Sequence, residues 1–325
     1  IESKPDQIVP LQIAEFAKKT PNAIAIYYED KQISYRELID RSNKYAQWFL
    51  NNNLSKGDVV ALMMENRPEF LACWIGITQA GGTVALINTN LSGQPLDYSL
   101  GISQAKNLIL GSELSENFST TSDETKSNFN TWIQGDYNDS NYFEDLDQCL
   151  NDLSADKPEI DYKITNDDDA LYIYTSGTTG RSKGAMITHH NLSSNALTLH
   201  RQWGFVEGDV LLHSLPIYHV HGLFVALHCA LLNGSKMIWM RKYDPKLVSQ
   251  KIREASVFMG VPTHYTRLLK EESFGKKCCS RMRLFVSGSA PLLKETFEQF
   301  RQRTGHTILE RYGMTEAGMI TSNPY

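Results

Sequence analysis

This chain has no surplus of basic charge: 32 Lys and Arg stand against 37 Asp and Glu, a formal net charge of −5 with the nine histidines neutral. Clustered cations are what neutralise a phosphate backbone, so nucleic acid is excluded as a principal partner. Cysteine is scarce, five residues and odd in number, which excludes a disulfide scaffold and reads as reduced thiols in a reducing compartment. The vicinal Cys278 and Cys279 read as an inert loop pair. Membrane-spanning runs are lacking as well, since a transmembrane helix needs about 20 apolar residues in succession. Two long stretches carry no Asp, Glu, Lys or Arg, but Phe70 to Leu96 is broken by Gln79, Gly81 and Gly82, and Val210 to Ser235 carries His213, Pro216, His219, His221 and His228. Both read as strand plus helix in a buried core. No internal repeat of fixed period is present.

What is there is an ordinary globular composition, 41% hydrophobic and 21% charged over 325 residues, enough for two domains of about 150 residues with real cores. The pattern is strand, turn, helix, repeated. Ala23 to Tyr28 is β-prone, and Ser34-Tyr35-Arg36-Glu37 is a capping box opening a helix. Val59 to Met64 reads as a buried strand, Pro68 opens a helix that Gly81 and Gly82 stop, and Thr83 to Ile87 is the next strand. Ser112 to Asp161 is rich in Ser, Asn, Asp and Glu and reads as a polar surface insert, partly ordered at best. Alternation resumes at Ala170 to Thr175 and runs to Thr307–Leu309. Such succession predicts an α/β fold with largely parallel sheets and ligands at the carboxyl ends of the strands. The expected division is a first βα subdomain over 1–165, holding the insert 112–161, and a second over 166–325.

Tyr174 to Gly184, with the sequence YTSGTTGRSKG, follows a predicted strand and precedes a predicted helix. Its glycines allow backbone N–H groups to turn toward an anion, Thr175, Ser176, Thr178 and Thr179 can donate to phosphate oxygens, and Lys183 adds a point charge. Lys183 lies between Ser182 and Gly184, so this is not the Walker pattern. The string resembles the phosphate loop of the adenylate-forming enzymes, the superfamily of acyl-CoA synthetases, peptide-synthetase adenylation domains and luciferases. Three further segments match in the same order: Leu215 to Gly222 (LPIYHVHG), Val286 to Leu292 (VSGSAPL) and Glu310 to Glu316 (ERYGMTE).

The resemblance implies a large N-terminal domain of two stacked βα subdomains plus a smaller β-rich element, the second subdomain carrying the phosphate loop and the adenine motif. It implies an acid-thiol ligase that makes an acyl-adenylate from ATP and then a coenzyme A thioester. The implied nucleotide contacts are Thr175, Ser176, Gly177, Thr178, Thr179, Gly180, Lys183, Ser289, Ala290, Pro291, Glu310, Arg311, Tyr312, Gly313, Met314 and Thr315. Thr175 and Glu316 are the implied Mg²⁺ ligands, and Lys183, Thr175, Glu316 and His219 the catalytic set. Hard oxygen donors suit Mg²⁺, which keeps much of its water.

Within the superfamily, the strings around Leu215, Phe258, Ser287 and Glu310 look most like malonyl-CoA synthetases. A dicarboxylate keeps one carboxylate charged inside the pocket, and the planar fork of arginine is its natural partner. Arg311 is the expected clamp, with His219, Ser287 and Gly288 as pocket wall; Arg267 and Arg283 read as structural or solvent-facing. Val84 to Leu91 and Glu65 to Phe70 resemble fatty-acid-type ligases instead, so a fatty or other short monocarboxylic acid is the alternative. A catalytically incomplete nucleotide-binding module is the second. The family's ribose-binding Asp, hinge Arg and small C-terminal domain with its catalytic lysine are expected beyond Tyr325. Without them this stretch is expected to be catalytically poor. Ile1 in place of Met puts the expected start of the protein ahead of this chain. Free thiols and ATP/CoA chemistry point to the cytoplasm, or to the mitochondrial matrix behind a leader.

Overall fold

A computed structural model describes residues 8–136, 143–175 and 182–325. The strands in chain order are β1 (Ile24–Tyr28), β2 (Lys31–Ser34), β3 (Val59–Met63), β4 (Thr83–Leu86), β5 (Asn107–Gly111), β6 (Asn130–Gln134), β7 (Glu144–Asp145), β8 (Asp169–Thr175), β9 (Lys183–Thr188), β10 (Val210–His213), β11 (Lys236–Trp239), β12 (Val257–Gly260), β13 (Leu284–Ser287), β14 (Leu309–Met314) and β15 (Gly318–Ser322). Helices connect most of them. None is long and apolar enough to cross a membrane among the described residues.

The strands fall into two largely parallel sheets, each in its own compact unit. One unit comprises Arg36–His190 with described residues 8–14. Its sheet has the order β7-β6-β5-β3-β4-β8-β9, parallel except for the antiparallel pair β8–β9 at one edge. The inner strands are continuous apolar runs such as Val59–Met63 because both faces of a parallel sheet are covered. The other unit comprises Glu15–Tyr35 and Asn191–Tyr325, on a sheet of order β15-β14-β13-β12-β10-β11-β1-β2. β2 and β15 are its antiparallel edges. Its core gathers Phe258, Tyr265, Phe274, Phe285 and Phe300, all fully buried and meeting mostly edge to face, the arrangement that ring quadrupoles favour.

Three sequence expectations need correction. The division does not fall at 165/166: β8 and β9 belong to the first sheet because β8 pairs in parallel with β4, while β1 and β2 belong to the second because β1 pairs with β11. The insert 112–161 is mostly regular structure. Its polar residues cap and turn the chain: Ser122 and Asp145 are helix N-caps accepting from the N–H groups of Thr125 and Gln148, while β6 extends the sheet in parallel beside β5 and its Trp132 packs edge-on against Trp48 at 4.5 Å. Finally, no helix directly follows the Gly/Thr loop. β9 intervenes and pairs antiparallel with β8, so the loop closes a hairpin instead of opening a helix.

Candidate active site

Thr175 ends β8 and Lys183 begins β9, and the two are register partners across the hairpin. The exposed Lys183 ammonium and the Thr175 hydroxyl, 3.5 Å from the Lys183 carbonyl, stand at the base of the loop. Ser176, Gly177, Thr178, Thr179 and Gly180 lie outside the described residues. A strand, and not a helix N-terminus, begins at Lys183.

In the unit containing Asn191–Tyr325, the other predicted segments converge at the carboxyl ends of parallel strands. Two cavities of about 450 Å³ each open there. One is lined by Leu215, Pro216, His219, Val220, His221 and Gly222 after β10, Val261 and His264 after β12, and Gly313, Met314, Thr315 and Met319 of the β14–β15 hairpin. The other is lined by Ala290, Pro291, Glu310, Tyr312, Thr321, Ser322 and Asn323. Ser289, Arg311 and Gly313 belong to both walls.

Arg311 is the electrostatic centre. Only 7% of its surface is exposed, and its Nε and one Nη have no hydrogen-bond partner among the described residues. Burial pulls its pKa down to about 10, opposed by Tyr265 nearby, so it remains a cation at neutral pH. Its place depends on Gly288, where a Cβ would overlap the guanidinium carbon. Ser289 follows with φ +70°, a left-handed conformation that costs a non-glycine residue about 1–3 kcal/mol. Glu310, on the other side of Arg311 from Tyr312 in sequence, accepts the Leu292 N–H at 3.0 Å and so ties the Ser289–Leu292 turn to β14. The following helix starts after that turn, at Lys294.

Imidazoles surround the cation. His221 is buried on a π-helical turn (His221–Leu227), its Nδ1 3.4 Å from the Ser289 hydroxyl and its Nε2 without a partner among the described residues. Burial, then the Arg311 charge, holds it well below the ordinary histidine range. His213, at the end of β10, is lowered to about 3 by burial alone. The wide turn is closed by His228, whose backbone N–H and ring Nδ1 both reach the Leu223 carbonyl, the latter at 2.6 Å. Such turns are often found at functional sites.

Most of the predicted pocket residues are therefore brought together. His219, Met314 and Thr315 line the first cavity and Ala290, Pro291, Glu310 and Tyr312 the second, where Tyr312 is 61% exposed. Ser287 and Gly288 line neither: the Ser287 hydroxyl is buried at the end of β13, and Gly288 backs Arg311. Glu316 sits exposed in the turn between β14 and β15. Arg283 is structural, forming a two-point ion pair with Asp209 at 2.5 and 2.8 Å. His221 and His264 line the first cavity without having been given an individual role from the sequence, although His221 lies in the matched segment Leu215 to Gly222. Pro262, opening a helix directly after the buried strand β12, was the available signal for His264.

The two largely parallel sheets and the paired cavities around Tyr312 and Arg311 agree with a family match: the chain belongs to the AMP-binding enzyme family, whose model matches residues 13–325. The particular relatives are narrower. The mitochondrial malonate–CoA ligase ACSF3 of Mus musculus is 32% identical, with 99% of this chain and 57% of that protein covered. The malonate–CoA ligase of Arabidopsis thaliana is 30% identical, covering 95% and 55%. The crystal structure of ATP-bound MatB from Rhodopseudomonas palustris is 38% identical, with a TM-score of 0.84 over 96% of this chain and 62% of that one. The chain thus spans a little over half the length of these curated relatives.

Proposed function

We propose that the protein carrying this chain is an ATP-dependent acid–CoA ligase that activates malonate as its adenylate and passes the malonyl group to coenzyme A. The observation that carries this reading is Arg311, a buried cation with unpartnered donors on the wall of a small cavity. A monocarboxylic acid would leave it facing an alkyl tail, and an uncompensated buried charge is costly. The non-reacting carboxylate of malonate supplies the counter-charge. The names of the mouse and Arabidopsis relatives, and the ATP in the MatB structure, support the same substrates.

In this reading the adenine rests on Tyr312 and the Ser289–Pro291 turn. The polyphosphate meets Thr175, Lys183 and the loop between them. The reacting carboxylate of malonate attacks the α-phosphorus, displacing pyrophosphate, and the thiol of coenzyme A later displaces AMP. What the residues contribute is mainly the gathering of anions and the spreading of charge on the leaving group. The expected Mg²⁺ donors are the Thr175 hydroxyl and the exposed Glu316 carboxylate. Among the described residues no three His, Cys, Asp or Glu side chains cluster as a protein-built metal cage; hydroxyl and carboxylate oxygens are the hard donors that suit Mg²⁺, which takes its other ligands from water and phosphate. When bound, it would offset charge on the departing pyrophosphate. The cytoplasm or mitochondrial matrix, each supplied with ATP and coenzyme A, is the proposed location.

The test is AMP release by the full-length protein across acetate, butyrate, octanoate and malonate. Malonate should be used best, and Arg311→Ala should abolish that preference by removing about 1.5–3 kcal/mol or more of charged hydrogen bonding. Equal or better turnover of a monocarboxylate by the unaltered protein would refute the assignment.

A further inference from the structure

Across the cavity, His264 forms a polar wall with no part in the clamp just described. It sits on the short helix Pro262–Leu268, entered directly from β12. Its ring is stacked on Tyr243 with centroids 3.7 Å apart and planes within 1°, and the Arg267 guanidinium lies 4.8 Å from the same Tyr243 ring. The Tyr243 hydroxyl donates to the His264 carbonyl at 2.6 Å, so one residue fixes both ring and backbone. Beneath, Gly260 allows the ring close to the strand: a Cβ there would come within 3.3 Å of Nδ1.

A residue held only for packing would not need nitrogens. Phenylalanine would stack as well; the Nδ1 of His264 is buried against Gly260 with no partner among the described residues, which leaves Nε2 as the nitrogen able to carry the proton toward the cavity that His264 lines. Burial and the Arg267 charge hold the ring neutral, at about 4. A neutral imidazole keeps one N–H donor without placing a second cation beside Arg311.

Resting on the malonate reading, we propose that His264 is a specificity-determining residue of the acyl cavity, donating a hydrogen bond to the carboxylate that does not react, with Tyr243 as the positioning residue that holds its ring. The test uses the full-length protein and compares kcat/KM for malonate with kcat/KM for butyrate, which is similar in length and lacks the second charge. His264→Phe keeps the stack and removes the donor; the malonate-to-butyrate ratio should fall about tenfold or more, the size expected of one hydrogen bond to a charged group. His264→Gln, which restores a donor, should recover most of the ratio. Tyr243→Leu should lower it through a raised KM for malonate, and Tyr243→Phe, which keeps the ring, should lower it less. A ratio within about twofold of the unaltered protein in His264→Phe would overturn the role of His264 while leaving the clamp by Arg311 intact. If the unaltered protein shows no preference for malonate, the dicarboxylate reading falls and His264 falls with it.

Discussion

Gly288 illustrates how a residue with no side chain can set the chemistry of a site. Its missing Cβ is the space the Arg311 guanidinium occupies, so Gly288→Ala should displace the cation without removing it. The expected result is a KM for malonate raised about tenfold or more, with KM for ATP changed much less, read from steady-state AMP release. At this scale the sequence was a better guide to which residues gather at a cavity than to how they are arranged there. Arg311, His219, Thr315 and Tyr312 are found on cavity walls because their motif strings are long. Ser287 was expected on the wall as well, yet it is the last residue of β13, a strand buried throughout, and its hydroxyl is buried with it. His264 was passed over because Pro262 marks a helix start after β12 without saying which of that helix's residues line a cavity.

Among the elements, the turn Ser289–Leu292 depends on a strand for its shape. Glu310 holds the Leu292 N–H from β14, in the same turn as the strained Ser289. Glu310→Ala should loosen the turn and raise KM for ATP several-fold more than KM for malonate, since the turn walls the cavity assigned to adenine; Glu310→Gln, still an acceptor, should restore most of it. Measuring both constants in both variants decides this. Strands and helices with strong apolar pattern, such as Val59–Met63 and Pro68–Gln79, were legible almost to the residue. β9 and β6 were not. β9 pairs at a sheet edge with Lys183, Gly184 and Met186 exposed, so its apolar signal is weak, and β6 sits among Ser, Asn and Asp residues that look like loop until their capping bonds are seen.

Considered whole, the molecule stores an acid sensitivity in its buried histidines. His213 and His264 are held at about 3 and about 4 in the folded state, against about 6.5 for an unfolded histidine. Both folded values are depressed, so the stability these residues allow is complete above about pH 6.5 and is lost as pH falls toward the folded values, because only the unfolded chain binds the protons. At pH 5 each costs roughly 2 kcal/mol relative to pH 7.5. Denaturant midpoints should therefore fall between pH 7.5 and 5, and His213→Gln should flatten that slope by about a quarter at most, because His189, His221 and His264 are depressed as well. An unchanged slope would mean His213 already titrates in the native protein. The division into two units was the least legible feature, because which sheet a strand joins depends on partners far away in sequence: β1 beside β11, β8 beside β4.

That first pairing has a consequence for biosynthesis. β1 and β2 leave the ribosome early, but the strand β1 aligns with, and the Ser235 carbonyl that receives the Tyr35 hydroxyl at 2.8 Å, come about 200 residues later. At translation speeds of about 5–20 residues per second, the hairpin waits roughly 10–40 s without its neighbour. Over that interval an apolar ribbon, Ile24 to Tyr28, stands unprotected on the nascent chain, a natural client for a holding chaperone.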